Sequence, residues 1–301
     1  MEGYNIIGCD ALNIGNKDFA EGTDFLKELA SNALFPFVSA NIVDAEKKEL
    51  LFEPFRVIER SGLRLGVLGL TTHLPAHVDD VVLLDPIDQA RKILADLEGQ
   101  TDYQVVLFSG SYQEALAASD SLVSADFIFV SGTTRTPARR RSERVSGPRI
   151  YRLGKQGKSL GIVHFDIEDA NQELIDVSTL KWREAFITRQ LKRMGQKDPS
   201  KELEEIYQDS PEMVDRIHQI TVEKKSIEKR LAELKSTLWF DFVPMTKEVE
   251  DNPQLLAMVE KTLAECDRIE VADKTSNSSP GRDATRATRG SPRPRVRTSI
   301  Q

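Results

Sequence analysis

Apolar positions along the chain fall into two regimes. Up to about residue 182, short runs of strand length alternate with stripes at helical spacing. Asn5 to Ile14 reads as a first strand, closed by Gly15 and Asn16, with Lys17 and Asp18 after it. Gly22 then gives way to a helix over Phe25 to Ala33, whose apolar positions are Phe25, Leu26 and Leu29. Phe37 to Asn41 reads as a strand, and Phe55 to Glu59 with Leu63 to Leu70 as a hairpin about Ser61-Gly62. Asp85 and Pro86 are a cap and a first helical residue, and Ala90, Ile93, Leu94 and Leu97 form the buried stripe of the helix they open. Val105 to Phe108 is a run suited to burial on both faces, followed by a helix over Gln113 to Val123 and a strand over Phe127 to Val130. Repeated units of this kind imply an α/β fold with a central sheet and helices packed outside it.

Beyond Trp182 charged residues dominate and the period becomes helical. Ile187, Leu191 and Met194 mark a helix that Gly195 and Pro199 end. Met213, Ile217, Ile220, Lys224, Ile227, Leu231, Leu234 and Leu238 keep four-three spacing, a coiled-coil seam with one polar interruption. A further helix over Pro253 to Ile269 carries Leu256, Val259, Leu263 and Cys266, and Thr237 to Val243 with Pro244 forms an extended connector. An antiparallel hairpin buries both stripes within one chain; pairing of the long helix with its twin is the alternative. Residues 273–301 are rich in Ser, Thr, Pro and Arg with almost nothing to bury, the composition of a disordered basic tail. The expected division is 1–182, 183–272 and 273–301.

Composition narrows the classes. The 301 residues are 40% hydrophobic, enough for one well-buried domain and an appendage. A net charge of -7 argues against a specific nucleic-acid binder. No apolar run approaches the roughly 20 residues of a membrane span, and no basic-then-apolar leader opens the chain. Cys9 and Cys266 belong to no C-x-x-C pair, so neither a zinc site nor a disulfide framework is indicated, and Cys9 reads as a strand residue. His73 and His77 are four apart, but Pro75 between them favours a loop over a helical metal site. Arg135 to Arg144, RTPARRRSER, is the one dense basic cluster of the first segment. Its Arg139, Arg140 and Arg141 could grip a phosphate by bidentate hydrogen bonds, or form a solvated loop.

Several of these stretches together resemble a known family. Tyr-x5-Asp-Ala-x2-Ile-Gly-Asn-x-Asp-Phe over Tyr4 to Phe19 is similar to the GNHE segment of the 5'-nucleotidase branch of the calcineurin-like metallophosphoesterases. FPFVSANIV at Phe35 to Val43, the hairpin ending GLRLGVLGLTT at Thr72, YQVVLFSG at Tyr103 to Gly110, FIFVSGTT at Phe127 to Thr134 and IYRLGKQGKSLGIVHFDI at Ile150 to Ile167, which resembles a further hairpin of that family, continue the match. About half of the chain is covered. The resemblance implies a metallophosphoesterase-like β-sandwich flanked by helices, here lacking the strands that carry Asp-x-His and Gly-Asp in that family, and followed by a helical hairpin or coiled coil. FVPMTKEVE with DNPQLL, from Phe242 on, is similar to a segment that follows the phosphoesterase domain in related proteins, with no Cys-x-x-Cys-His after it.

In that family the Asn of GNHE ligates one of two metals and the His beside it assists the leaving group. Asn16 matches the ligand, whereas Lys17 replaces the His and Asp18 takes the Glu place. A protonated lysine has no lone pair, so it neither ligates a metal nor relays a proton as imidazole does. Gly110 stands for the next His, and Ser131 with Thr133 or Thr134 for the last pair. A two-metal centre with ions roughly 3.5–4 Å apart needs several O and N ligands that these residues do not supply.

Three functional classes follow. One is a silent scaffold, without cofactor, that binds a protein partner or a second copy through the helical extension or an uncovered sheet edge. Another is a fragment of a nucleotide phosphohydrolase using a manganese or zinc pair. The last is a non-hydrolytic binder of a nucleotide or phosphorylated small molecule, held by Lys17 and the Arg139 to Arg141 cluster. Family members are usually exported, which is the compartment the resemblance implies.

Overall fold

A computed structural model of the chain describes residues 1–132, 147–154, 157–168, 172 and 174–276. Residues Met1–Glu250 form one compact unit, running on through position 182, and a second unit begins at Asp251.

The chain opens with a helix, α1 (Glu2–Ile7), where a strand was expected. Glu2 lies in its first turn, which suits the helix dipole, and Gly8 at φ 79° ends it by returning its N–H to Tyr4 O at 3.0 Å. Asn5 does not alternate in a sheet. Its amide donates to Asn32 O at 2.9 Å and accepts from Leu34 N at 2.8 Å, fixing α1 against the end of α2 (Gly22–Ser31). The strand proper, β1, is only Leu12–Asn13, paired in parallel with β2 (Phe37–Val38). Cys9 is a half-buried residue between α1 and β1 rather than a strand residue. A 3-10 turn, Asn16–Phe19, joins β1 to α2. Ile14, Phe19, Leu26, Phe35 and Phe37 make the core beneath α2 with Ile42 of β3 (Ile42–Asp44).

Strands β4 (Phe55–Arg60) and β5 (Leu63–Thr71) form the expected hairpin, with Ser61 and Gly62 at φ 50° and 79° in its two-residue turn. A short strand, β6 (Val81–Leu83), pairs with β3. Helix α3 (Pro86–Leu97) starts as expected, Asp85 accepting from Ile87 N and Asp88 N at 2.9 Å. Next come β7 (Tyr103–Ser109), α4 (Tyr112–Ser119), β8 (Phe127–Ser131) and β9 (Arg149–Arg152). They complete a five-stranded sheet in the order β4-β5-β7-β8-β9, parallel except at β4.

Each face of this sheet has its own cover. Leu68, Leu70, Val106, Phe108, Ile128 and Val130 point to the side of α3 and α4 and share one core with Ala90, Leu94 and Leu97. Burying each large side chain of this set stabilises the fold by about 1.5–3 kcal/mol. The opposite face meets β10 (Ser159–Ile167), which together with β11 (Ile175–Asp176) and β12 (Ser236–Pro244) makes a second sheet of order β10-β12-β11. The Phe165 ring lies 5.0 Å from that of Tyr103 and 5.8 Å from Phe127, and Phe240 stacks on Tyr151 at 4.2 Å. This aromatic interface makes the α/β sandwich.

Two expectations about the later chain change here. Ile150 to Ile167 is no hairpin, since β9 extends the first sheet and β10 the second. Thr237 to Val243 is no connector either: β12 pairs antiparallel with β10 over nine successive positions, from Ser159↔Pro244 to Ile167↔Ser236. Leu238 is therefore a fully buried strand residue rather than the end of a coiled-coil seam. The seam itself stops with α7 (Pro211–Ala232), reached from α5 (Ser178–Gly195) through the short α6 (Leu203–Ile206). Ile217, Ile220 and Ile227 are buried, and the partner of the stripe is α5: Ile187 is fully buried and Leu180, Leu191 and Met194 pack with it against Ile220, Ile227 and Leu231. The helical hairpin is thus built from α5 and α7. In the second unit α8 (Pro253–Ser276) takes up the first residues of the expected tail, whose remainder lies outside the described residues.

Candidate functional site

Parallel strands bring their carboxyl ends to one edge of the sheet, and there the loops expected to carry chemistry meet. Thr71, Ser109 and Ser131 are register partners across β5, β7 and β8. The next residues, Thr72, Gly110 and Gly132, begin the loops. Buried Asn41 fixes the end of β5, donating to Thr71 O at 2.7 Å and Leu84 O at 3.2 Å and accepting from Thr71 N at 3.0 Å. Asn13 joins β1 to the sheet: its amide donates to Leu70 O at 3.0 Å and Leu107 O at 2.8 Å. Gly69 leaves the room this requires, since a Cβ there would stand 2.3 Å from Asn13 Oδ1 and 2.5 Å from Val38 O. The Thr71 hydroxyl donates to Ile14 O just before the polar loop.

Several backbone donors of these loops are already engaged. Thr72 N donates to Ser109 O and Gly110 N to Ser131 O, both at 3.1 Å, and Gly15 N donates to Asp18 Oδ2 at 2.7 Å. Their side chains are interlocked as well. A Cβ at residue 15 would lie 2.4 Å from Ser109 Oγ, and one at residue 110 would lie 2.6 Å from Thr72 Oγ1. Gly132, at φ 88°, comes so near that a Cβ on it would be 3.2 Å from Gly110 O. Thr72 Oγ1 is also 3.0 Å from His73 Nδ1. Glu114 lies close by. Hydrogen bonds from the Ser111 hydroxyl and the Ser111 N–H hold its carboxyl below the ordinary range, helped by the Thr72 hydroxyl and the nearby His73.

Of the residues singled out in the sequence, Asn16 opens the 3-10 turn at this edge, and Ser131 and Gly110 end up beside each other. Lys17 is exposed and lines a cleft of about 320 Å³ with Tyr4, Leu12, Phe25, Leu29 and Phe37, between α1 and α2. Thr133, Thr134 and the Arg135 to Arg144 cluster, with Arg139, Arg140 and Arg141, lie outside the described residues. His73 and His77 sit in a loop, as Pro75 implied, and the His77 ring nitrogen is 3.1 Å from Phe19 O. His164 stacks on Trp239 at 4.6 Å, and His218 is exposed on α7. The roles of Thr72 and Glu114 escaped the sequence reading, although Ser111-x-x-Glu114 is a legible capping box whose two reciprocal bonds are both present.

These residues do not fit a pair of metal ions. Among the described residues no three His, Cys, Asp or Glu side chains converge. Next to Asn16, Gly15 lies against the Ser109 hydroxyl and its N–H engages the Asp18 carboxylate, whereas such centres call on imidazoles and bridging carboxylates.

The α/β sandwich gathers its loops at the ends of parallel strands. No family model matches the chain. A Vibrio cholerae 5'-nucleotidase is 31% identical over 122 residues, which is 38% of this chain and 22% of that protein. Protein UshA of Escherichia coli K12 is 31% identical over 118 residues, 37% of this chain and 21% of the relative. Among solved structures, a 5'-nucleotidase precursor from Thermus thermophilus aligns at 25% identity with a TM-score of 0.46, covering 55% of this chain and 36% of that one. The calcineurin-like phosphoesterase YfkN of Bacillus subtilis aligns at 19% identity with a TM-score of 0.46, covering 56% and 61%. By sequence this part of the chain is similar to 5'-nucleotidases. The chain matches about a fifth of the length of those curated relatives.

Proposed function

We propose that this is a 5'-nucleotidase-like metallophosphoesterase domain that acts as a binding module and not by two-metal phosphoester hydrolysis. One observation carries the reading: the position of a family imidazole is Gly110, and Thr72 Oγ1 and Phe108 fill the space its side chain would need. The loss is therefore built into the packing, not confined to one residue type. The second sheet supports the binding role. Its edge strand β10 is nine residues long and free of Lys, Arg and Pro, whereas the edges β4 and β9 carry arginines. An exported compartment for such a module is in keeping with the resemblance.

Metal content after incubation with manganese or zinc, measured beside phosphate release from a nucleoside monophosphate, tests this. Neither a bound metal pair nor turnover is expected; stoichiometric binding of two ions with enzymatic release overturns it in favour of a hydrolase fragment. A third reading, a phosphate-ligand binder, is favoured by Lys17, whose ammonium has no ion-pair partner among the described residues. Against it, the N–H groups of Gly15, Thr72 and Gly110 already have acceptors. Saturable binding of a nucleoside monophosphate that Lys17→Ala abolishes would establish it.

A further inference from the structure

Helix α5 carries a stripe that its own packing does not use. Its inner face, Leu180, Ile187, Leu191 and Met194, is covered by α7. Trp182, Phe186, Arg189 and Arg193 recur on the opposite face at i, i+4, i+7 and i+11 spacing, and all four are exposed. Trp182 is 49% and Phe186 40% accessible, yet the two rings are already stacked, 5.6 Å between centroids and 21° between planes. Arg183 holds them in place: its guanidinium is 5.6 Å from the Phe186 ring and is fixed by two 2.6 Å hydrogen bonds to Glu223. Arg189 and Arg193 have no carboxylate at ion-pair distance among the described residues. The helix dipole accounts for a cation in the last turn, so Arg193 alone would call for nothing more. It does not account for a pre-stacked, solvent-facing aromatic pair one turn before two unpaired arginines.

We propose that this face of α5 docks an acidic segment of a partner polypeptide. An apolar or aromatic side chain of the partner rests on Trp182 and Phe186, and its carboxylates meet Arg189 and Arg193, about 10 Å further along the axis. The assignment deepens the binding-module reading and rests on it. Charge complementarity sets the sign, since α5 holds five basic side chains and one acidic one in a chain of net charge -7. Composition favours a protein: tryptophan and arginine are the side chains that most often carry interface energy. A bilayer fits less well, because the aromatic and cationic residues are separated along the helix rather than across it.

Fluorescence anisotropy on the full chain tests this with two labelled synthetic peptides of about a dozen residues, alike but for glutamates in one and glutamines in the other, each with one phenylalanine. At low salt the glutamate peptide should bind at least about tenfold more tightly, and the gap should shrink in concentrated salt. Trp182→Ala and Arg189→Glu, both surface changes whose melting curves should match the parent, should each weaken it about fivefold or more. Equal affinity for the two peptides, or variants that bind as the parent does, overturns the proposal. Cosedimentation with phosphatidylserine vesicles that Trp182→Ala abolishes overturns it in favour of a lipid surface. Phosphate release from a nucleoside monophosphate by the same preparation reports separately on the binding-module reading, so the two can fail independently.

Discussion

Gly110 lies against Thr72: a Cβ at residue 110 would stand 2.6 Å from Thr72 Oγ1 and 2.8 Å from a ring carbon of Phe108. Residue 110 is where the family resemblance calls for an imidazole. Restoring histidine there should thus strain the fold rather than rebuild a site. Gly110→His should cost about 1–3 kcal/mol in urea unfolding, as overpacked positions do. Adding Thr72→Ala should recover part of that loss, because it removes the nearest obstacle. Equal stabilities for the single and double variants would show that the two residues do not share the space.

Asn13 ties three strands together through one amide. Asn13→Ala removes the donors to Leu70 O and Leu107 O and leaves both carbonyls without these bonds. The expected loss is about 1–3 kcal/mol. Hydrogen exchange should quicken first at β1 and in the 3-10 turn that holds Asn16, with α5 and α7 unaffected. Uniform acceleration over the whole unit would contradict this local role.

Asp126 at the start of β8 has its pKa raised above the ordinary 3.8, chiefly by burial, against the opposing Gln104 N–H at 2.8 Å and the charge of Arg149. The folded chain therefore holds this proton more tightly than the unfolded chain. The associated stability is fully present below 3.8 and is lost as pH rises through the folded-state value. Asp126→Asn keeps an acceptor for Gln104 N and has no charge to desolvate. Relative to the parent, its stability should improve as pH climbs through that window and stay level above it. Denaturant midpoints taken at several pH values check this, and a constant difference between the two proteins would sink it.

Glu114 has the opposite sign. Its carboxyl is held below 4.5, first by the Ser111 hydroxyl, so its contribution is present above that value and lost as pH falls through the folded-state one. Ser111→Ala should remove about 1 kcal/mol at neutral pH as a lost cap. The penalty should shrink in acid, where the carboxylate would be protonated in both proteins. A penalty that does not vary with pH would mean that Ser111 and Glu114 act separately.

Local signals in the sequence translated directly where one residue's chemistry was enough. Asp85 and Pro86 start α3, Ser61-Gly62 turns the β4–β5 hairpin, and Ala90, Ile93, Leu94 and Leu97 are all buried. Asn5 to Ile14 misled because its apolar residues suit either a short helix or a strand. Gly8 at positive φ and the bonds of Asn5 to Asn32 and Leu34 select the helix.

The sequence by itself determined the alternation of strand and helix from Gly22 to Val130, helical stretches beyond Trp182 and the absence of histidine from positions 16–18, 109–111 and 131–134. Periodicity and residue identity are local properties, so they survive without coordinates. Only the tertiary structure decided that α7 packs on α5, that β12 returns to pair with β10, and that Thr72 and Ser109 fill the places beside Gly110 and Gly15. Those outcomes depend on which distant segments meet. An apolar stripe records that a face must be buried, but not which partner buries it.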